Sequence, residues 1–210
     1  TAVPDYEAAK LVINKDKPGT NVTGSSDLNP IGAQLDLIMQ FVPNAKTIGT
    51  IYNSSEINSQ FQVEILKKEL ARYNVTLVEG TVSSVNDVQQ VAQGLIGKID
   101  ALYVPTDNII ASAMPVLTKI TTPAKVPVIT GEEGPLHGGG LATVGVDYYE
   151  LGKIAGNMGA DILEGKSKPA DMPIQYQKEF KVKVNEPVLK TLGLQLPEAL
   201  KGKAELGDFH

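Results

Sequence analysis

The sequence predicts an α/β fold, a doubly wound parallel sheet flanked by helices, on three observations. Five short runs rich in β-branched residues are apolar almost throughout, as strands covered on both faces are. Longer amphipathic stretches lie between them, and this alternation is the α/β pattern. The 210 residues, 42% apolar and 20% charged, suffice for one large core or two small ones.

In chain order, residues 1–17 read as a strand end followed by a helix from Asp5 through Ile13, closed by the turn Lys17-Pro18-Gly19-Thr20. A helix is predicted over 31–41, with Pro30 in its first turn and Asn29 as its cap. The strands are 46–52 (KTIGTIY), 75–79 (VTLVE), 100–104 (DALYV), 126–130 (VPVIT) and 141–146 (LATVGV). Helices are expected over 57–73, 85–98 and 108–120. In the first of these, Phe61, Ile65, Leu66 and Leu70 recur at helical spacing, while Gln62, Lys67, Lys68 and Glu69 fill the other face. Ser84 with Asp87 three residues later reads as a helix start.

After Val146 the pattern changes. Residues 148–164 form one more helix, ended by Gly165, and 166–173 are a polar linker with two prolines. The run 174–184 alternates polar and apolar residues, as an exposed or edge strand does. The tail, 185–210, reads as a short helix and a frayed polar end.

Composition excludes several functions. There is no cysteine, and the two histidines are His137 and His210, so Cys/His metal sites and Cys- or His-based nucleophiles lack their residues. A net charge of -5 with dispersed basic residues disfavours a nucleic-acid surface. No apolar stretch approaches the roughly 20 residues of a membrane helix, and Thr1-Ala2-Val3-Pro4-Asp5 has neither a basic leader nor an apolar signal core. With no glycine-rich phosphate loop and no tryptophan, no cofactor is expected.

In open parallel sheets ligands lie beyond the carboxyl ends of the strands. Here those ends run into Asn53-Ser54-Ser55-Glu56, Pro105-Thr106-Asp107-Asn108, Gly131-Glu132-Glu133-Gly134 and Asp147-Tyr148-Tyr149. The loop Asn53–Ser55 opens a helix, so its backbone N–H groups are a candidate anion cradle. Asp107, Glu132 and Asp147 are candidate acceptors for an ammonium group. Together these groups suit an amino-acid zwitterion, although Asp, Asn and Ser are equally the usual helix caps.

His137-Gly138-Gly139-Gly140 resembles an oxyanion loop but has no G-x-S-x-G elbow beside it, and reads as a turn. Gly152 and Gly156 read as a close packing contact of their helix. The tripeptides beginning at Asn21, Asn53 and Asn74 match the glycosylation pattern incidentally.

The order of motifs resembles the tryptophan/tyrosine-type substrate-binding proteins of ABC transporters, within the type I periplasmic-binding fold. The residues that carry the resemblance are Asn21-Val22-Thr23-Gly24-Ser25-Ser26-Asp27, Tyr52-Asn53-Ser54-Ser55-Glu56, Tyr103-Val104-Pro105-Thr106-Asp107-Asn108, Gly131-Glu132-Glu133 and Gly145-Val146-Asp147-Tyr148-Tyr149-Glu150-Leu151-Gly152. Pro169-Ala170-Asp171-Met172-Pro173 and Asn185 also fit.

The resemblance implies a two-lobed, extracytoplasmic receptor, periplasmic or lipid-anchored, that closes on a small ligand such as an aromatic amino acid and delivers it to a permease. It places 1–20 and 147–173 in the first lobe, and 21–146 and 174–210 in the second. It makes Asn53, Ser54, Ser55, Thr106, Asp107, Asn108, Glu132 and Asp147 the ligand-binding candidates, with Gly24, Ser25, Gly145 and Val146 at the hinge. It also implies roughly a hundred further residues of first lobe on the N-terminal side, without which the first-lobe helix would expose an apolar face and promote self-association.

Two other readings compete. The ligand-sensing domain of a LacI-type transcription regulator shares the two-lobed fold and differs by a DNA-binding headpiece. An enzyme would need carboxylates such as Asp107, Glu132 and Glu133 as acid and base, with no nucleophile or metal set to accompany them.

Overall fold

Residues 3–209 are described in a computed structural model. The strand end expected at Thr1 and the histidine His210 lie outside them. The chain forms two compact units, Thr1–Asn29 with Val146–Phe180, and Pro30–Gly145 with Lys181–His210. The divisions fall after Asn29, Gly145 and Phe180, whereas the resemblance implied them after 20, 146 and 173, so residues 21–29 and 174–180 group with the smaller unit.

In chain order the elements are β1 (Ser25–Ser26), α1 (Ile31–Phe41), β2 (Thr47–Asn53), α2 (Ile57–Glu69), β3 (Thr76–Val82), α3 (Val88–Leu95), β4 (Ala101–Val104) and α4 (Asn108–Thr121). They continue with β5 (Val128–Thr130), β6 (Ala142–Gly145), α5 (Tyr148–Leu163), β7 (Gln175–Tyr176), β8 (Lys181–Asn185), α6 (Glu186–Leu192) and β9 (Glu205–Gly207). All five expected parallel strands of the larger unit are present.

That unit holds a seven-stranded sheet in the order β3-β2-β4-β5-β6-β8-β9. The first five strands are mutually parallel; β8 runs antiparallel to β6, and β9 parallel to β8. From β2 the chain moves outward to β3 and then returns to the other side of β2 as β4. The topological switch is thus between β2 and β4, and α1 and α2 pack together while α3 packs with α4. One contiguous core joins Ile51, Leu102, Val104 and Val128 of the strands to Val88, Leu95, Ile110, Met114 and Leu117 of α3 and α4. Ile48, on the opposite face of β2 from Ile51, is buried as well, and cover on both faces explains why the strands read as unbroken apolar runs.

Local signals set the ends. Ser84 and Asp87 make the expected capping box, starting with a 3-10 turn before α3. That helix stops at Leu95, ahead of Gly97 at φ +82°, and α2 gives way to a 3-10 turn at Leu70–Arg72. Asn29 is not the cap of α1; its Oδ1 accepts the N–H of Val146 at 3.2 Å, while the helix begins from the Pro30 carbonyl. The tail is ordered into the sheet as β9, with Phe209 buried against Gly207 and edge-on to His137. A frayed end was expected because a three-residue edge strand carries almost no periodic signal.

In the smaller unit the helix expected from Asp5 to Ile13 is a hydrogen-bonded turn. The Asp5 carboxylate caps the N–H groups of Glu7 and Ala8, and Lys10 at φ 56° halts propagation. Ser25 and Ser26 pair in parallel with Gln175 and Tyr176, and Tyr6, Val12 and Ile174 form a small core. The run 174–184 is therefore two strands, β7 in the smaller unit and β8 in the larger. Leu151 and Met158 are the buried residues of α5. Gly152 and Gly156 do not make the expected packing contact: a Cβ at either would meet nothing within 4 Å among the described residues.

Candidate functional site

The loops after β2 and β4 leave the sheet on either side of its switch point, where two divergent crossovers open a crevice in this class of fold. Asp107 joins them. Its Oδ2 accepts the backbone N–H of Asn53 at 2.6 Å and the Ser59 hydroxyl at 2.7 Å, and its Oδ1 caps α4 through the N–H of Ile110 at 2.9 Å. The residue is 2% exposed. Asp107 is thus an internal brace, and its carboxylate is occupied by the protein.

Glu56 is a second hub. It accepts from the Nδ2 and N–H groups of Asn108 at 2.9 and 3.2 Å, and from the Nδ2 groups of Asn53 and Asn58 at 3.3 Å. Burial pushes its carboxyl up, but the bonds from these asparagines outweigh that and hold it below its ordinary value. Asn58 and Ser59 also donate to the Thr106 carbonyl, and Gln62 Oε1 accepts the Thr106 N–H at 3.1 Å. Gln62, expected on the solvent face of α2, is 2% exposed. A polar residue on the sheet-facing side of a helix reads as surface unless the loop it supports is known.

The third loop joins by backbone contact. A Cβ on Gly131 would lie 2.9 Å from the Thr106 nitrogen and 3.1 Å from the Pro105 carbonyl carbon, so only glycine lets the loop before Glu132 approach the loop after β4 this closely. From below, Gln34 of α1 donates to the carbonyls of Gly131 and Val144 at 3.0 and 2.8 Å and accepts the Tyr103 hydroxyl at 2.8 Å. Gln34 and Tyr103 are fully buried, and burial pushes the Tyr103 phenol far above its ordinary value. Gln34 shares the core with Leu35 and Ile38, and a polar residue within the predicted helix 31–41 gave no sign of it.

The structure therefore brings Asn53, Ser54, Ser55, Thr106, Asp107, Asn108 and Glu132 to one end of the larger unit's sheet. Ser54, Ser55 and Asn108 are exposed, Thr106 and Glu132 half-buried. Asp147 lies in the smaller unit, where its Oδ1 caps α5 through the N–H groups of Tyr149 and Glu150 at 2.9 and 3.2 Å. Of the expected hinge residues, Gly145 and Val146 flank a crossing. Gly24 packs under the Tyr6 hydroxyl, and Ser25 in β1 donates to the Leu151 carbonyl.

The anion cradle expected from Asn53–Ser55 is not there. The Asn53 N–H is bound by Asp107, that of Ser54 by the Val82 carbonyl, and that of Ser55 by the side chain of Asn53. A turn this tight saturates its own donors. Nor do the carboxylates proposed for acid/base chemistry form a set: Asp107 is a brace, and Glu133 pairs with Lys183 at 2.6 Å. The glycines after His137 provide close packing, since a Cβ on Gly138 would lie 2.4 Å from that of Met114. Among the described residues no group of His, Cys, Asp or Glu is arranged to hold a metal, and no helix is long and apolar enough to cross a membrane.

Comparison with known proteins joins this geometry to a family. The family profile for ABC transporter substrate binding proteins matches residues 1–206. The chain belongs to this family. It is 44% identical over 195 residues to the tyrosine-binding protein of Clostridioides difficile, covering 93% of this chain and 56% of that one. The chain thus spans about half the length of that curated relative.

Two solved structures are similar as well. A ligand-free, open substrate-binding protein with adhesive properties from Clostridium difficile matches with TM-score 0.84 and 43% identity, over 99% of this chain and 69% of that one. An ABC domain in complex with L-Trp from Streptococcus pneumonia matches with TM-score 0.88 and 37% identity, over 98% and 71%. LacI-family regulators align with TM-scores of 0.54 and 0.58 at 20% and 9% identity, which shows the shared fold alone.

Proposed function

We propose that this chain belongs to the solute receptor of an ABC importer, which captures an aromatic amino acid outside the cytoplasm and hands it to a membrane permease. The carrying observation is the braced polar network at the switch point of the sheet, in a chain 44% identical to a tyrosine-binding protein and 37% identical to one in complex with L-Trp. Ser54, Ser55, Thr106, Asn108 and Glu132 present the ligand-facing groups in this reading, while Asn53 and Asp107 hold the loops that carry them. Asp147 sets the start of α5, and Gly24, Ser25, Gly145 and Val146 absorb the rotation of closure. The receptor binds and releases its ligand without a catalytic step, and is periplasmic or lipid-anchored at the outer face of the cell membrane.

The open face of α5, with Gly152 and Gly156 uncovered and Leu163 90% exposed, is the surface through which the isolated chain associates with itself. Light scattering after size exclusion tests that point, and a clean monomer refutes it. The ligand is tested by a thermal-shift screen of the protein at its full natural length against amino acids, sugars and purines, because a ligand that binds only the folded state raises the melting temperature. A selective rise with tryptophan or tyrosine is expected. A rise with sugars or purines alone overturns the ligand class.

A further inference from the structure

Of the three carboxylates expected to receive an ammonium group, Asp107 and Asp147 are engaged by backbone N–H donors. A fourth, Asp27, also takes a backbone N–H, its own, but keeps one oxygen unmet. Asp27 is 8% exposed, and its Oδ1 is buried without a hydrogen-bond partner. The hydroxyl of Tyr148 donates to the same carboxylate, and the Tyr148 side chain itself is 44% exposed.

Among the described residues Asp27 enters no helix cap or ion pair. The α5 N-terminus beside it is already capped by Asp147. The ion pairs of this unit among the described residues are Lys17–Asp171, Lys153–Glu150, Lys166–Asp161 and Lys166–Glu164, and none includes Asp27. Burial holds its carboxyl above the ordinary value, and the Tyr6 phenol is raised by its own burial first and by the Asp27 charge second. A buried carboxylate with an unmet oxygen opposes folding. The group that satisfies it best is a cation with N–H donors, through a charge-assisted hydrogen bond.

Resting on the reading given under Proposed function, we propose that Asp27 is the carboxylate that receives the cationic amino group of the bound amino acid. The Tyr148 hydroxyl holds this carboxylate in the ligand-free receptor and yields or shares it when the ligand arrives.

The test compares the parent protein and D27N at full natural length by calorimetric titration with L-tyrosine, L-tryptophan and their deaminated analogues, 3-(4-hydroxyphenyl)propanoate and indole-3-propanoate. Losing one partner of a desolvated charge pair weakens binding of the two amino acids by roughly thirtyfold or more, while the analogues change by less than about threefold. D27S, which lacks the charge and the shape, gives the same pattern if D27N folds poorly, and melting curves check both. Binding of the amino acids by D27N within about threefold of the parent overturns the proposal. So does an equal loss of amino acids and analogues, which marks a structural role. A parent protein that binds neither amino acid overturns the underlying reading instead.

Discussion

The backbone N–H of Asn53 donates to Oδ2 of Asp107 at 2.6 Å across 54 residues of sequence. One carboxylate thereby fixes the ends of two adjacent strands and starts α4 at the same time. Loops that carry binding groups are ordinarily mobile; here the central pair is held by a buried acceptor.

Replacement of that brace tests its role. D107A removes the cap of α4 and strands the donors of Asn53 and Ser59, at a cost of about 2–4 kcal/mol. Chemical denaturation measures it. A loss below about 0.5 kcal/mol, the range of unremarkable surface changes, refutes the bracing role.

Gly131 is required by distance. G131A drives a Cβ into the backbone of Pro105 and Thr106, and overpacking of this kind costs about 1–3 kcal/mol. Because the atoms that move carry Thr106 and Glu132, ligand affinity falls along with stability. Unchanged affinity for the receptor's own ligand in the G131A variant contradicts this.

Gln34 supports the same loops from beneath. Q34A leaves the carbonyls of Gly131 and Val144 and the Tyr103 hydroxyl without their partner in the core, and destabilises the larger unit by about 2–4 kcal/mol. Hydrogen exchange on this variant shows faster opening at the loop after β5 and at α1. Parent-like protection at both sites disproves the support.

Asp27 predicts a pH signature. Its carboxyl is held above its ordinary value by burial, so folding favours the protonated form. The stability it contributes is present at acid pH and is lost as the pH rises through the folded-state pKa. D27N has no such loss, so the melting temperature of the ligand-free variant gains on that of the parent as the pH rises above the ordinary carboxylate range. A difference that stays constant or moves the other way refutes the buried carboxylate.

The parallel sheet was legible because strands buried on both faces must be apolar throughout, as Ile48, Ile51, Leu102 and Val104 are. The polar loops at the carboxyl ends were legible for the same reason, since they interrupt those runs. What each polar residue does was not. Asp107 and Asp147 sit at positions where a helix cap and a ligand acceptor have the same sequence, and only the partners decide between them. Gln34 and Gln62 are core residues written in surface letters. Asp27 lies inside one of the motifs that marked the family, but its buried, unmet oxygen is a property of packing and leaves no trace in spacing. The short β1–β7 pair and the β9 edge escaped notice because two or three residues are too few to show a period.

The most direct test of the central claim, that this fold holds an amino acid at the switch point of its sheet, is backbone amide chemical-shift mapping of the full-length protein titrated with L-tyrosine and L-tryptophan. The account predicts saturable shifts gathered at 53–58, 106–110 and 131–133. An absence of shifts with either amino acid, or shifts confined to the outer faces of α3 and α4, contradicts it.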